Sequence, residues 1–184
     1  MKNNMKQTMY ALTAFFTMGS MLFMGFYAAH PHPALLPCAI TFGTTAYHFI
    51  MRLTVGTAVN LIFQNQIDPS ARWFQTRKCE DRIYEKWNVK SWKEKLPSYD
   101  PSLFSHKEHS FDEIAGAMCQ AELVHEIIVI LSFVPPLFAI PFGAFPIFLL
   151  TSLAAAVFDS LFVIVQRYNR KRILRLARRK KTRK

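Results

Sequence analysis

The residues from Tyr10 to Ala29 form a run of twenty without a charged side chain. At about 1.5 Å of rise per residue, a helix of that length covers about 30 Å, the hydrocarbon core of a bilayer. Inside that core every backbone polar group must be satisfied by the chain itself, which leaves helices or a closed barrel. Three further apolar tracts follow, at about 35–63, 111–134 and 147–166. Charge is segregated to match. Residues 167–184 hold eleven Lys and Arg and no acid, while the rest of the chain balances twelve basic against twelve acidic side chains. The formal net charge of +11 on 184 residues therefore belongs to the tail. This pattern excludes a disordered chain, a disulfide-rich secreted domain and an ordinary soluble enzyme. Cys38 and Cys119 lie in or beside apolar tracts, Cys79 lies in a charged segment, and no CxxC pair exists; three reduced, mainly packed cysteines are expected.

Local signals bound the spans. Lys2 and Lys6 precede the first tract, so a cleavable signal peptide competes with a retained helix. The apolar region is longer than a signal peptide needs and Ala28-Ala29-His30 is a poor cleavage site, which favours retention. Pro37 interrupts the second tract. Ser110-Phe-Asp-Glu113 reads as a capping box opening the third, which stops at Pro135-Pro136. The N-terminus, the 64–110 segment and the tail share one side and carry two, nine and eleven Lys/Arg. The 30–34 and 135–146 turns carry none. The positive-inside rule assigns the charged side to the cytoplasm. Trp73, Phe74, Tyr84, Trp87 and Trp92 stand among lysines, as in a segment lying at headgroup level, and a partly helical 72–96 region is expected there. The expected fold is an all-α integral membrane protein of the cell membrane with both termini cytoplasmic. About four transmembrane helices form a bundle, with an interfacial cytoplasmic segment at 64–110. Residues 1–166 make a single membrane domain and 167–184 a basic, helical cytoplasmic tail.

Ionisable groups inside spans cost about 2.5–3.5 kcal/mol each on insertion scales, so their recurrence asks for a reason. His48 and Arg52 are four apart on one helix face. Cys119, Glu122, His125 and Glu126 occupy an arc of about 120° at 100° per residue. Asp159 lies two turns before Gln166 and Arg167. All fall at similar depth in the cytoplasmic half, where Arg52 and Arg167 would neutralise Glu122, Glu126 and Asp159 around a water-containing cavity. An internal salt-bridge cluster that only locks the bundle explains one pair better than seven groups.

Metal chemistry lacks ligands. Glu122-x-x-His125 is half of a di-iron motif with no second half, and Val129 stands where a zinc protease signature needs His. No Gly-rich phosphate loop, Gly-x-Ser-x-Gly elbow or H-x4-D pattern is present. Acid–base chemistry remains: a His beside a carboxylate one turn away can take a proton from a hydroxyl, and Arg can steady an oxyanion.

Trp87-Asn-Val-Lys90-Ser-Trp92-Lys93, Pro97, Cys119-Gln-Ala-Glu122-Leu-Val-His125-Glu126 and Val165-Gln166-Arg167-Tyr168-Asn169-Arg170 occur in this order. Over about residues 70–175 the chain resembles the glycosyl-4,4'-diaponeurosporenoate acyltransferase family. The resemblance implies a small bacterial multi-pass membrane protein that esterifies a fatty acyl group onto the sugar of a glycosylated carotenoid, in carotenoid biosynthesis. It matches Glu122, His125, Gln166, Arg167, Asn169 and Arg170 to the family's recurrent polar motifs. The N-terminal membrane region and the very basic tail depart from the family pattern.

A membrane O-acyltransferase is therefore expected, with His125, Glu122, Glu126 and Arg167 as catalytic residues. His48, Arg52, Trp87, Lys90, Trp92, Lys93, Cys119, Asp159, Gln166, Asn169 and Arg170 are expected to bind substrate. The donor is acyl-CoA-like, the acceptor a hydroxyl of a glycosylated lipid or glycosyl carotenoid, and no metal or resident cofactor is expected. Membrane lipids would surround the bundle and anionic headgroups would meet the basic tail, each Lys or Arg contributing about 1 kcal/mol; nucleic acid is not an expected partner. A non-catalytic scaffold or lipid-binding protein of a lipid or carotenoid pathway is the alternative, and a metal-dependent hydrolase or oxidase the third reading.

Overall fold

The computed structural model describes residues 4–94 and 101–182. Among these residues the regular structure is helical. It comprises α1 (Asn4–Ala29), α2 (Leu35–Phe63), α3 (Lys78–Lys86), α4 (Phe111–Leu131), the short α5 (Ala139–Phe142) and α6 (Phe145–Thr182), with 3₁₀ turns at Arg72–Phe74, Val89–Glu94, Pro101–Phe104 and Pro135–Phe138. Four helical stretches among the described residues are long and apolar enough to cross a membrane: Met5–Ala29, Leu35–Phe63, Phe111–Phe142 and Phe145–Lys180. The protein is an all-α membrane protein.

One point departs from the sequence reading. Pro37 does not interrupt the second tract; it sits in the first turn of α2, where a backbone N–H has no intrahelical partner to lose. The fourth apolar tract and the basic tail form one continuous helix to Thr182, since Lys and Arg are good helix formers. The capping box forms as expected: the Glu113 amide donates to Ser110 Oγ (3.2 Å) and the Ser110 amide to Glu113 Oε2 (2.7 Å). Large apolar side chains such as Leu61, Ile130, Ile140 and Leu150 point outward, as lipid permits.

The chain divides into two compact units. The first comprises Met1–Gly56 and Ile127–Asp159. Here α1 packs on α2 through Phe15, Phe16 and Phe23 against Phe42, with Phe16 stacked on Phe49. Close approach depends on glycine: a Cβ at Gly19 would lie 2.3 Å from the Phe42 ring. Ser20 Oγ donates to the Ala39 carbonyl (3.0 Å), and Tyr47 Oη to the Leu131 carbonyl (2.9 Å) at the end of α4. Thr17, Ser20, Met21, Gly43, Ala46, Tyr47 and Ile50 line a cavity of about 310 Å³.

The second unit comprises Thr57–Glu126 and Ser160–Lys184. Gln120 on α4 accepts from the Asn65 amide (2.6 Å) and donates to Asn60 Oδ1 (3.1 Å), tying the end of α2 to α4. Gly116 admits that turn: a Cβ there would sit 2.7 Å from the Asn65 carbonyl oxygen. Tyr84, Val89 and Val165 form a small core flanked by Trp92, Ile164 and Tyr168. The Arg72–Glu94 segment is thus packed on α6.

Candidate active site

The polar centre of the second unit is built by four elements. On α6, Arg167 and Arg170 are three residues apart and share a face; on α4, Glu122 and Glu126 are four apart. The turn at Arg72–Phe74 and helix α3 supply Trp73, Phe74 and Glu80. Arg167 reaches three carboxylates: Nε donates to Glu122 Oε1 (2.8 Å), Nη1 to Glu80 Oε1 (3.2 Å) and Nη2 to Glu126 Oε1 (3.3 Å). Arg170 bonds the other Glu122 oxygen and the Phe74 carbonyl, and its guanidinium lies over the Phe74 ring at 5.2 Å. Glu122 and Arg170 are essentially without solvent exposure.

Around this core, Trp73 Nε1 donates to Glu126 Oε2 (2.6 Å) and Tyr84 Oη to Glu80 Oε2 (3.0 Å). Lys171 bonds Asp81. Burial, reinforced by the Glu80 hydrogen bond, holds the Tyr84 phenol well above its ordinary value. Two arginines face three glutamates, and guanidinium forks suit such multiple carboxylate contacts.

His125 stands on the same helix as the glutamates. Its ring stacks on Phe162, with centroids 4.6 Å and planes 11° apart, which fixes the imidazole plane. The Glu122 oxygens, expected to orient His125, accept from Arg167 and Arg170. Gln166 and Asn169 are partly buried on α6, and Cys119 is fully buried one turn before Glu122. Trp87 and Trp92 stack on each other at 6.3 Å, and Lys90 is exposed. The Lys93 side chain and Pro97 lie outside the described residues.

His48, Arg52 and Asp159 belong to the first unit. Arg52 bonds Asp159, lies over the Phe158 ring at 5.8 Å, and donates to the His48 carbonyl. His48 is buried and, among the described residues, neither ring nitrogen has a hydrogen-bond partner; the same holds for Ser152 Oγ. Within the first unit the structure pairs Arg52 with Asp159, and within the second Arg167 with Glu122 and Glu126. Trp73, Glu80 and Tyr84 were missed as members of the network. For Glu80 and Tyr84 a signal was available, four residues apart and so on one helix face, but a basic, aromatic-rich segment reads first as one lying at headgroup level. Among the described residues no group of three or more His, Cys, Asp or Glu is arranged to hold a metal ion.

The family model for glycosyl-4,4'-diaponeurosporenoate acyltransferase matches residues 70–179. The chain belongs to that family. It is an acyltransferase, and the matched stretch of this glycosyl-4,4'-diaponeurosporenoate acyltransferase family member contains every residue of the Arg167–Arg170 network from Trp73 to Lys171. His48 and Arg52 precede the match. No curated protein and no solved structure matches the chain.

Proposed function

We propose that this acyltransferase moves a fatty acyl group from an acyl-CoA-like donor to a hydroxyl of a membrane-embedded glycosylated lipid or glycosyl carotenoid, at the cytoplasmic face of the cell membrane. The observation that carries the reading is the coincidence of the family match with the buried arginine–carboxylate network. His125, held flat on Phe162, takes the acceptor hydroxyl proton as the oxygen attacks the thioester carbonyl, and returns a proton to the leaving thiolate. Arg167 stabilises the oxyanion that forms; its carboxylate partners hold the guanidinium in place before the reaction, so little reorganisation is needed. Glu126 takes part through its bonds to Arg167 and Trp73. The donor's phosphates are drawn by the exposed Lys90, Arg172 and Arg175 rather than by Arg170, which is buried, whereas the Arg167 side chain keeps some exposure. No resident cofactor is needed for this chemistry.

A non-catalytic scaffold or lipid-binding role is the second reading, favoured by the exposed Arg172, Arg175, Arg178 and Arg179 on α6, which suit anionic headgroups. Purified protein in lipid nanodiscs, given labelled acyl-CoA and a glycosyl carotenoid, separates the two. Transfer by the wild type with a loss of about 10²–10⁴-fold in His125→Ala supports catalysis by His125. Wild-type rates in His125→Ala remove His125 from the mechanism. Restoration of the acylated lipid in a deletion strain by a variant with no activity in vitro favours the scaffold.

A further inference from the structure

The segment from Arg72 to Trp92 has two chemically different faces. Its inner face is committed to the network: Trp73 Nε1 bonds Glu126, Glu80 bonds Arg167, Asp81 bonds Lys171, and Tyr84 is buried against Val165 and Tyr168. On α3, Glu80, Asp81 and Tyr84 occupy one arc, so residues 79, 82, 83 and 86 are turned the other way. That outer arc holds Cys79, Arg82, Ile83 and Lys86, all exposed. Ile83 is 43% exposed, Trp87 at the helix end 51%, and Trp73 65%. Arg77 and Lys90 are exposed in the flanking turns.

Large apolar side chains interleaved with cations are poor candidates for bulk water and poor candidates for hydrocarbon. They suit the headgroup zone, where indole bodies sink below the phosphates and Lys/Arg heads stay at them. The covalent context agrees: α2 ends at Phe63 and α4 begins at Phe111, so the segment joins two membrane-spanning helices at one bilayer surface.

We propose that the outer face of Arg72–Trp92 is seated in the anionic headgroup layer of the bilayer, so that the membrane surface is the partner that holds the inner face against Arg167. The candidate site then opens at headgroup level, and an acceptor whose sugar lies among the headgroups reaches it sideways, without leaving the bilayer. The docking itself does not depend on the acyl-transfer reading, because its readout is position rather than turnover.

The chain's three tryptophans, Trp73, Trp87 and Trp92, all lie in this segment, so its fluorescence reports the segment alone. Full-length protein in nanodiscs containing phosphatidylglycerol and lipids brominated near the headgroup end of the chain is expected to show strong quenching of Trp87 in a Trp73→Phe/Trp92→Phe variant. Acrylamide from the aqueous side should quench it several-fold less than free tryptophan. The substitutions Arg82→Glu and Lys86→Glu at exposed positions of the outer arc together should cut lipid quenching at least twofold, with wild-type thermal stability showing that the fold is kept. Acrylamide quenching near that of free tryptophan with no bromolipid effect would overturn the proposal. So would lipid quenching unchanged by the double charge reversal in phosphatidylglycerol, since the anionic layer would then hold nothing.

Discussion

The two units treat buried charge differently. In the second, each carboxylate and guanidinium near Arg167 is bonded, and even the Trp73 indole and the Tyr84 phenol are used. In the first, the Arg52–Asp159 pair is made, yet among the described residues the His48 nitrogens and the Ser152 hydroxyl stay without partners. Thr44, Ser132 and Thr151 give their hydroxyls to the carbonyl one turn earlier, as helix residues in lipid commonly do; Ser152 does not. A closed network resists change because each member lost leaves a buried charge exposed to low dielectric. A group with no partner has nothing to lose when it is removed. The same substitution should therefore have opposite consequences in the two places.

The largest contrast comes from Glu122. Glu122→Ala strips two arginines of their shared carboxylate and should destabilise the protein by about 3–5 kcal/mol, seen as a large drop in thermal midpoint in nanodiscs. A change under 1 kcal/mol would mean that the network is not a unit. Gly116→Ala tests the backbone beside it: the methyl would press on the Asn65 carbonyl, and overpacking of this kind costs about 1–3 kcal/mol.

Tyr84→Phe removes one hydrogen bond to Glu80 and should cost about 1 kcal/mol at neutral pH. It carries a pH signature as well. A phenol whose folded value lies above its ordinary 10.0 adds stability that is complete below that pH and is lost as pH climbs beyond it. Wild-type stability should fall in alkaline buffer more steeply than that of Tyr84→Phe; parallel curves would count against the burial of the hydroxyl. The smallest effect belongs to the first unit, where Ser152→Ala should leave the thermal midpoint unchanged or slightly raised, since no bond is broken. A drop comparable to that of Tyr84→Phe would erase the contrast between the units.

The spans were legible because lipid imposes a simple code: length, apolarity and the absence of charge. The capping box at Ser110 was legible for a similar reason, since its two bonds depend on residues three apart. Pro37 was misleading, because the same residue breaks a helix interior and suits its first turn, and hydropathy alone does not say where the turn begins. The ionisable residues of the candidate site were visible individually. Which acid meets which arginine was not, because periodicity identifies a face and leaves its partner open. Glu80 and Trp73 lie far from Arg167 in sequence, and only tertiary packing of the 72–86 segment unites them.

One carboxylate serving two guanidiniums also limits how such a chain can drift through generations. Altering Glu122, Arg167 or Arg170 alone leaves the remaining pair mismatched, so neutral exploration at these three positions requires coordinated replacements rather than successive single ones. Variation among descendants should collect elsewhere, and exchanges here should arrive together.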